Sequence, residues 1–181
     1  MLAAVMTCGC ARVAPERLDR NEPGVEEPKV QREVQTERVS ATQKDDAGKI
    51  VWEVKARSAN LDYRGDGQTM GEMSGVTGTI HDEGKPVSAF EAEQGSADQA
   101  TKVLSLEGRV KVRSIARGET LEADRVVWRA GKRLLEADGN VSVDGDGYRL
   151  GPFPRILAAP DLGTIGTPDR FETGSGTLKQ K

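Results

Sequence analysis

Apolar and polar residues alternate with a period of two along much of the chain between residues 50 and 143. The first clear run is residues 50–56, in which Ile50, Trp52, Val54 and Ala56 fall on one side of an extended backbone and charged residues fall between them. Strict alternation over such a length predicts a half-buried β-strand. A long stretch with the spacing of an amphipathic helix does not occur, so the pattern predicts an all-β fold.

The clearest strand signal lies in residues 104–113. Leu104, Leu106, Val110 and Val112 share one face, while serine and charged side chains occupy the other face. Shorter apolar runs follow at residues 120–123, 125–128, 134–137 and 140–143, separated by segments rich in glycine and charged residues. Such segments have the chemistry of tight turns, and residues 144–147 (DGDG) predict a hairpin turn between two strands.

An internal repeat organises these strands. The segment around Gly108 (LEGRVKV) is echoed around Gly139 (ADGNVSV) and, more weakly, around Gly75 (MSGVTGT), at spacings of 31 and 33 residues. A glycine inside a strand pattern marks a bend or a bulge. Bends at a fixed spacing predict strands that stack into a curved pair of sheets with one continuous apolar interior.

The two ends of the chain differ from this repeat. Residues 1–10 are apolar and place Gly9 before Cys10, which resembles the end of a lipoprotein signal with Cys10 as the lipidated residue; an incidental apolar start is the alternative. Residues 11–33 are charged and interrupted by prolines and predict a flexible tether. Residues 31–42 fit either a helix or an edge strand. The folded domain is predicted at residues 34–162 and a disordered tail at 163–181. The proline-containing segment 148–157 is left open as an edge cap or a docking segment.

Composition narrows the possible chemistry. The net charge of −3 and the 4% aromatic content argue against a nucleic-acid partner. Both cysteines precede residue 11, so the body has no thiolate pair for a metal. The single histidine, His81, has no suitably spaced partners and is interpreted as a solvated turn residue. Nucleotide-binding fingerprints are also missing. The sequence therefore predicts no catalytic residues, no metal site, no cofactor and no enzymatic activity.

Three motifs in order resemble the LptC and OstA-like (LptA) family of lipopolysaccharide transport proteins. They are residues 46–56 (DAGKIVWEVKA), residues 104–112 (LSLEGRVKV) and residues 120–124 (TLEAD). The resemblance covers about residues 34–143. It implies an open, twisted β-jellyroll whose interior holds acyl chains and whose ends pair strand to strand with neighbouring jellyrolls.

The resemblance gives the apolar stripe a function. It implies a periplasmic, membrane-anchored lipid-transport component whose partners are lipopolysaccharide or another amphipathic lipid, other jellyroll proteins of the bridge, and an inner-membrane ABC transporter complex. The alternative is a structural surface lipoprotein whose packed β-repeat binds partners but no lipid. Trp52 and Trp128 fit either a packed core or a lipid-lined cavity. The expected lipid-binding stripe consists of Ile50, Trp52, Val54, Phe90, Leu104, Leu106, Val110, Val112, Leu121 and Trp128.

Overall fold

Nine antiparallel β-strands form a single sheet in strictly sequential order. The structure, a computed structural model, describes residues 32–63 and 69–170. Its strands are β1 (Arg32–Lys44), β2 (Ile50–Tyr63), β3 (Thr69–Asp82), β4 (Lys85–Asp98), β5 (Val103–Ser114), β6 (Thr120–Arg129), β7 (Leu134–Gly145), β8 (Tyr148–Ala158) and β9 (Ile165–Gly166). Two 3-10 turns, Ala130–Lys132 and Pro168–Arg170, complete the described elements. The all-β prediction is confirmed.

The first and last strands of the sheet can be compared with the predictions for the two flanking segments. The segment left open between helix and strand is β1, the edge strand that pairs with β2. The predicted disordered tail at 163–181 is wrong for residues 163–170, which include β9 and a 3-10 turn. Residues 171–181, and nearly all of the predicted tether, lie outside the described residues.

Each long strand bends near its middle, as the repeated glycines predict. Gly75, Gly108 and Gly139 have φ angles of 59°, 75° and 77°. In β5 the next residue, Arg109, is also left-handed, and so is Asn140 in β7. The pairing of β5 with β6 shifts between Glu107 and Val110, which is the signature of a β-bulge. Because a bulge adds local twist and bends its strand, the row of bulges across the sheet forms one continuous bend.

The bend divides the sheet into two layers. The first layer contains residues 50–56, 76–92, 110–123 and 141–150. The second layer contains residues 58–63, 69–74, 94–107, 125–138 and 153–158. The two layers face each other, because side chains from both form one buried apolar cluster. The Ser88 hydroxyl in the first layer also donates a buried hydrogen bond of 2.5 Å to the carbonyl oxygen of Pro160, just after the second layer.

The side of the jellyroll opposite the bend is closed by turns, and we call it the seam. Along the seam, turns of the first layer meet turns of the second layer that lie about three strands further along the sheet. The β1–β2 turn meets the β4–β5 turn through Asp46 and Lys102, and the β3–β4 turn meets the β6–β7 turn through Glu83 and Arg133. The seam is therefore a junction between strand ends that are far apart in the sheet.

The proline-containing segment left open above forms β8. It pairs with β7 from Tyr148 to Ala158, with two register irregularities. On its other side only Leu157 and Ala158 are paired, with β9. Pro152 and Pro154 lie in the part that β9 does not cover, and proline supplies no N–H for strand pairing. The segment is thus the C-terminal edge of the long-stranded sheet.

Candidate lipid-binding interior

The expected lipid-binding stripe lies in the interior between the two layers. Nine of its ten residues belong to the buried cluster, with exposures between 0% and 4%. Ile50 is the exception, because it is only partly buried and lies outside the cluster. The structure therefore brings together nine of the predicted side chains: Trp52, Val54, Phe90, Leu104, Leu106, Val110, Val112, Leu121 and Trp128.

The bulges explain why β5 contributes four of these side chains on both sides of the bend. Leu104 and Leu106 precede the bulge, and Val110 and Val112 follow it. Between Glu107 and Val110 the bulge gives β5 one residue more than β6, and the same alternation of inward positions continues into the second half of the strand. In β4 the inward residues change from even to odd positions, with Phe90 buried before the bend and Ala97 buried after it.

The interior is larger than the predicted stripe. Further fully buried apolar side chains extend the cluster from β3 to β8: Val76, Ile80, Val126, Leu135, Ala137, Val141, Val143 and Ile156. Those of β7 could have been found from the repeat, because Leu135, Val141 and Val143 follow Leu104, Val110 and Val112 by 31 residues. The interior thus runs continuously through the jellyroll along the strand order.

Three buried polar atoms interrupt this apolar surface. The indole Nε1 atoms of Trp52 and Trp128 find no hydrogen-bond partner among the described residues, and neither does Nδ1 of His81. The interpretation of His81 as a solvated turn residue is wrong, because it lies in β3, one residue before the end of the strand, and is only 6% exposed. Its Nε2 lies 3.7 Å from the Glu53 carboxylate. A buried indole N–H without a partner is costly, so the two tryptophan positions are suited to receive an acceptor from a bound molecule.

At the C-terminal end the interior surface emerges into solvent. Tyr148 is opposite Gly145 and Leu150 is opposite Val143, so both extend the face that carries the buried side chains of β7. They are 42% and 47% exposed. The Tyr148 hydroxyl donates a hydrogen bond to the Glu119 carboxylate, and desolvation, together with that bond, raises the pKa of Tyr148. The apolar face is therefore accessible at this end.

Along the seam, ion pairs join the two layers. Lys102 Nζ lies 2.6 Å from Asp46, and Arg133 lies 2.5 Å from Asp82 and 3.5 Å from Glu83. The hydrogen bond that Arg133 donates to Asp82 raises the pKa of Arg133. A third, longer contact of 3.9 Å joins Arg117 of the first layer to Asp161.

The two basic residues that make the shorter contacts occupy equivalent positions in the repeat. Lys102 and Arg133 each stand immediately before a strand, with left-handed φ angles of 57° and 50°. They are 31 residues apart, like Gly108 and Gly139. We call the Lys102–Asp46 contact and the contacts of Arg133 with Asp82 and Glu83 the seam ion pairs.

A wide trough of about 850 Å³ lies on the outer face of the second layer rather than in the interior. Short polar side chains line much of it, including Ser58 and Ser74, whose hydroxyls are 2.7 Å apart. Carboxylates such as Glu37 and Glu72 also contribute. This polarity does not suit acyl chains, which makes the interior the better candidate for an apolar ligand.

Among the residues that the structure describes, no three histidine, cysteine, aspartate or glutamate side chains are arranged to hold a metal ion. None of the helical segments in residues 32–63 and 69–170 is long and apolar enough to cross a membrane. Cys10, the expected lipidation site, lies outside the described residues.

The described residues form a bent, all-β jellyroll with a continuous apolar interior, which fits the fold expected from the resemblance. Comparison with family models agrees, because the model described as "Lipopolysaccharide-assembly, LptC-related" matches residues 1–150. The chain belongs to this LptC-related family. A search of curated proteins found no match. As a member of this family, the chain is a component of lipopolysaccharide transport and is associated with the periplasm and cell envelope. In general terms, its partners are lipopolysaccharide and the transport bridge.

Proposed function

We propose that this chain binds the acyl chains of lipopolysaccharide, or of a related amphiphile, in the jellyroll interior and passes the lipid to the next jellyroll. The observation that carries the proposal is the continuity of the buried apolar cluster from β2 to β8. The nine buried residues of the expected stripe are the central binding residues. The polar head of the lipid stays in solvent, where the outer faces carry most of the charge.

Burial of the acyl chain provides the binding free energy. Each methylene group transferred from water contributes about 0.8 kcal/mol. The interior residues are almost fully buried, so the two layers have to move apart for a chain to enter. Insertion of even part of an acyl chain offsets the loss of a few exposed polar contacts between the layers.

Transfer to a neighbour uses the ends of the sheet. β1 is the first strand and pairs with β2 alone among the described residues, so its outer side can accept a strand from another jellyroll. At the other end, Tyr148 and Leu150 continue the apolar face to the point where the lipid leaves. The sequence has no nucleotide-binding motif, and the energy for directed transport comes from an inner-membrane ABC transporter complex.

The N-terminal segment provides the attachment. Lipidation of Cys10 anchors the protein at a membrane facing the periplasm, and the segment between Cys10 and β1 connects the anchor to the jellyroll. Replacement of Cys10 by serine, followed by fractionation of the envelope, tests this part. Release of the variant into the soluble periplasmic fraction supports the anchor, and unchanged membrane association contradicts it.

Thermal unfolding with matched ligands tests lipid binding. A ligand present at one hundred times its dissociation constant adds about 2.7 kcal/mol if it binds the native state alone. The melting temperature should therefore rise by several degrees with lipopolysaccharide. Lipopolysaccharide stripped of its acyl chains is the control and should leave the melting temperature unchanged. Equal shifts with the two ligands would place binding outside the apolar interior.

A second candidate function is supported by the same burial. Leu104, Leu106, Val110 and Val112 are all 0% exposed, which is also the packing of a closed core. In this alternative the protein is a structural module that binds partners through its sheet edges and holds no lipid. An unchanged melting temperature with intact lipopolysaccharide, combined with capture of a partner through β1, would favour this alternative.

A further inference from the structure

A crevice of about 370 Å³ opens at the seam, where strand ends of the first layer meet turns of the second layer. Charged residues of both seam ion pairs stand around it, including Asp46, Lys102, Glu83 and Arg133. Its apolar lining consists of Val51, Trp128 and Ala130. The crevice thus lies between the two ion pairs that join the layers.

The crevice reaches the apolar interior. Trp128 lines it and also belongs to the buried cluster, with an exposure of 1%. Val51 and Ala130 are partly buried and pack against the same cluster. A chain that enters here therefore meets an apolar side chain of the interior directly.

Two buried polar side chains also line the crevice. His81 is 6% exposed, and its Nδ1 finds no partner in the described part of the chain. Nε1 of Trp128 is likewise unpaired there, although an indole N–H can only donate. An acyl chain joined through an ester or amide carries a carbonyl oxygen at its head, and that oxygen can accept the hydrogen bond that the Trp128 N–H offers.

We propose that the crevice is the entry site for an acylated amphiphile, whose chain passes Trp128 into the interior while its head-end carbonyl accepts a hydrogen bond from the Trp128 N–H. This inference rests on the proposed function, because it names the route to the same interior. The two seam ion pairs separate when the lipid enters. A lipid that enters through an open end of the jellyroll follows a different route and makes no such head-end contact at the seam as it enters.

The seam ion pairs suit a junction that opens and closes. In each pair one side chain is exposed, Asp46 at 97% and Arg133 at 53%, while its partner is partly buried, Lys102 at 24% and Asp82 at 22%. Exposed ion pairs contribute little to stability and are screened by salt. The layers can consequently separate at the seam while the bend, which is part of the continuous backbone, keeps them in register.

Covalent bridging of the seam tests the entry route. The full-length chain, with Cys8→Ser and Cys10→Ser, receives one of two cysteine pairs: Asp46→Cys with Lys102→Cys, or Glu83→Cys with Arg133→Cys. A short bismaleimide then joins the two cysteines. The matched control carries Glu107→Cys and Arg125→Cys, an ion pair of 3.3 Å between neighbouring strands of the second layer. A photoreactive side chain in place of Leu106 reports entry of lipopolysaccharide as a covalent adduct.

Bridging either seam pair should slow adduct formation at least tenfold, while the bridged control should match its own unbridged form. If both bridged seam variants form adducts as fast as the bridged control, the lipid enters elsewhere and the inference is overturned, but the proposed function stands. If the unbridged proteins form no adduct at Leu106, lipid binding in the interior fails and the inference fails with it.

Single substitutions give a second test that leaves the backbone unbridged. Lys102→Gln combined with Arg133→Gln should accelerate adduct formation, whereas Arg125→Gln should not. Trp128→Phe should lower the yield of adduct several-fold by removing one donor and keeping an aromatic ring. An amphiphile whose chain is joined through an ether is the control, because it has no head-end carbonyl and should lose no adduct in this variant. Equal losses with the ester-linked and the ether-linked amphiphile would contradict the head-end contact.

Discussion

The bend and the seam connect the same two layers by different means. At the bend, the connection is the backbone itself, shaped by left-handed residues such as Gly108 and Gly139 and supported by neighbouring carboxylates. At the seam, the connection consists largely of exposed ion pairs between turns that are distant in sequence. The bend therefore holds the layers in register through the backbone, and the seam, in our proposal, is the side that opens.

The chemistry of the bend is itself repeated. Asn140 of β7 donates a hydrogen bond of 2.8 Å to Asp124 of β6. In the same way, Arg109 of β5 forms an ion pair with Glu93 of β4. A carboxylate of the preceding strand thus contacts the residue after each of these glycines. At Gly75 the neighbouring side chain is Arg57 instead, and the pairing of β2 with β3 shows no register shift. The bends of β5 and β7 therefore share a carboxylate contact that the bend of β3 at Gly75 lacks.

Of the substitutions that compare the bend with the seam, Gly108→Ala should lower the free energy of unfolding most. A side chain there has to adopt a φ of 75°, and its Cβ would lie 3.0 Å from the Cβ of Glu93. Residues in such sparsely populated backbone regions cost about 1–3 kcal/mol. The free energy of unfolding, measured with urea, should fall by that amount. Gly131→Ala is the control, because its Cβ would meet no atom within 4 Å, and a comparable loss there would contradict the role of the bend.

A smaller effect is expected from Asp124→Ala. The variant loses the hydrogen bond that Asn140 donates next to the bulge. Hydrogen bonds of this kind contribute about 0.5–1.5 kcal/mol to stability. Urea unfolding should show a loss in this range. Asp146→Ala, in the exposed β7–β8 turn, should change the stability less, and equal losses would mean that the carboxylate beside the bulge has no special role.

The smallest effect on stability is expected at the seam, from Arg133→Gln. Exposed ion pairs generally contribute less than about 1 kcal/mol to the free energy of unfolding, even where the two charged groups are close together. The loss should shrink further when unfolding is measured in 1 M salt, because screening then reduces the Debye length to about 3 Å. A loss above about 2 kcal/mol that persists in salt would show the seam to be as firmly closed as the bend.

The sequence predicted the parts of the fold that depend on local alternation. In β5 the inward positions could be identified because the bulge around Gly108 preserves their even spacing. In β4 the spacing changes at the bend, so Phe90 could be identified and Ala97 could not. Ile50 was placed in the stripe by the same alternation, but it starts β2 next to a register irregularity with β1 and lies outside the cluster.

The contacts that depend on the three-dimensional path could not be predicted in the same way. His81 lies beside a turn in the sequence, yet its place near the end of β3 buries it. The partners Asp46 and Lys102 are 56 residues apart and meet only because the sheet bends back. The 31-residue spacing of Lys102 and Arg133 is the one sequence signal that could have connected the seam to the repeat.

Site-specific photocrosslinking tests the central claim, that acyl chains occupy the interior, most directly. A photoreactive side chain replaces the inward Leu106 or Val110 in one set of proteins and the outward Lys111 in the control. After illumination with lipopolysaccharide, adducts at Leu106 and Val110 should exceed those at Lys111 at least tenfold. Equal yields at the three positions would contradict lipid binding in the interior.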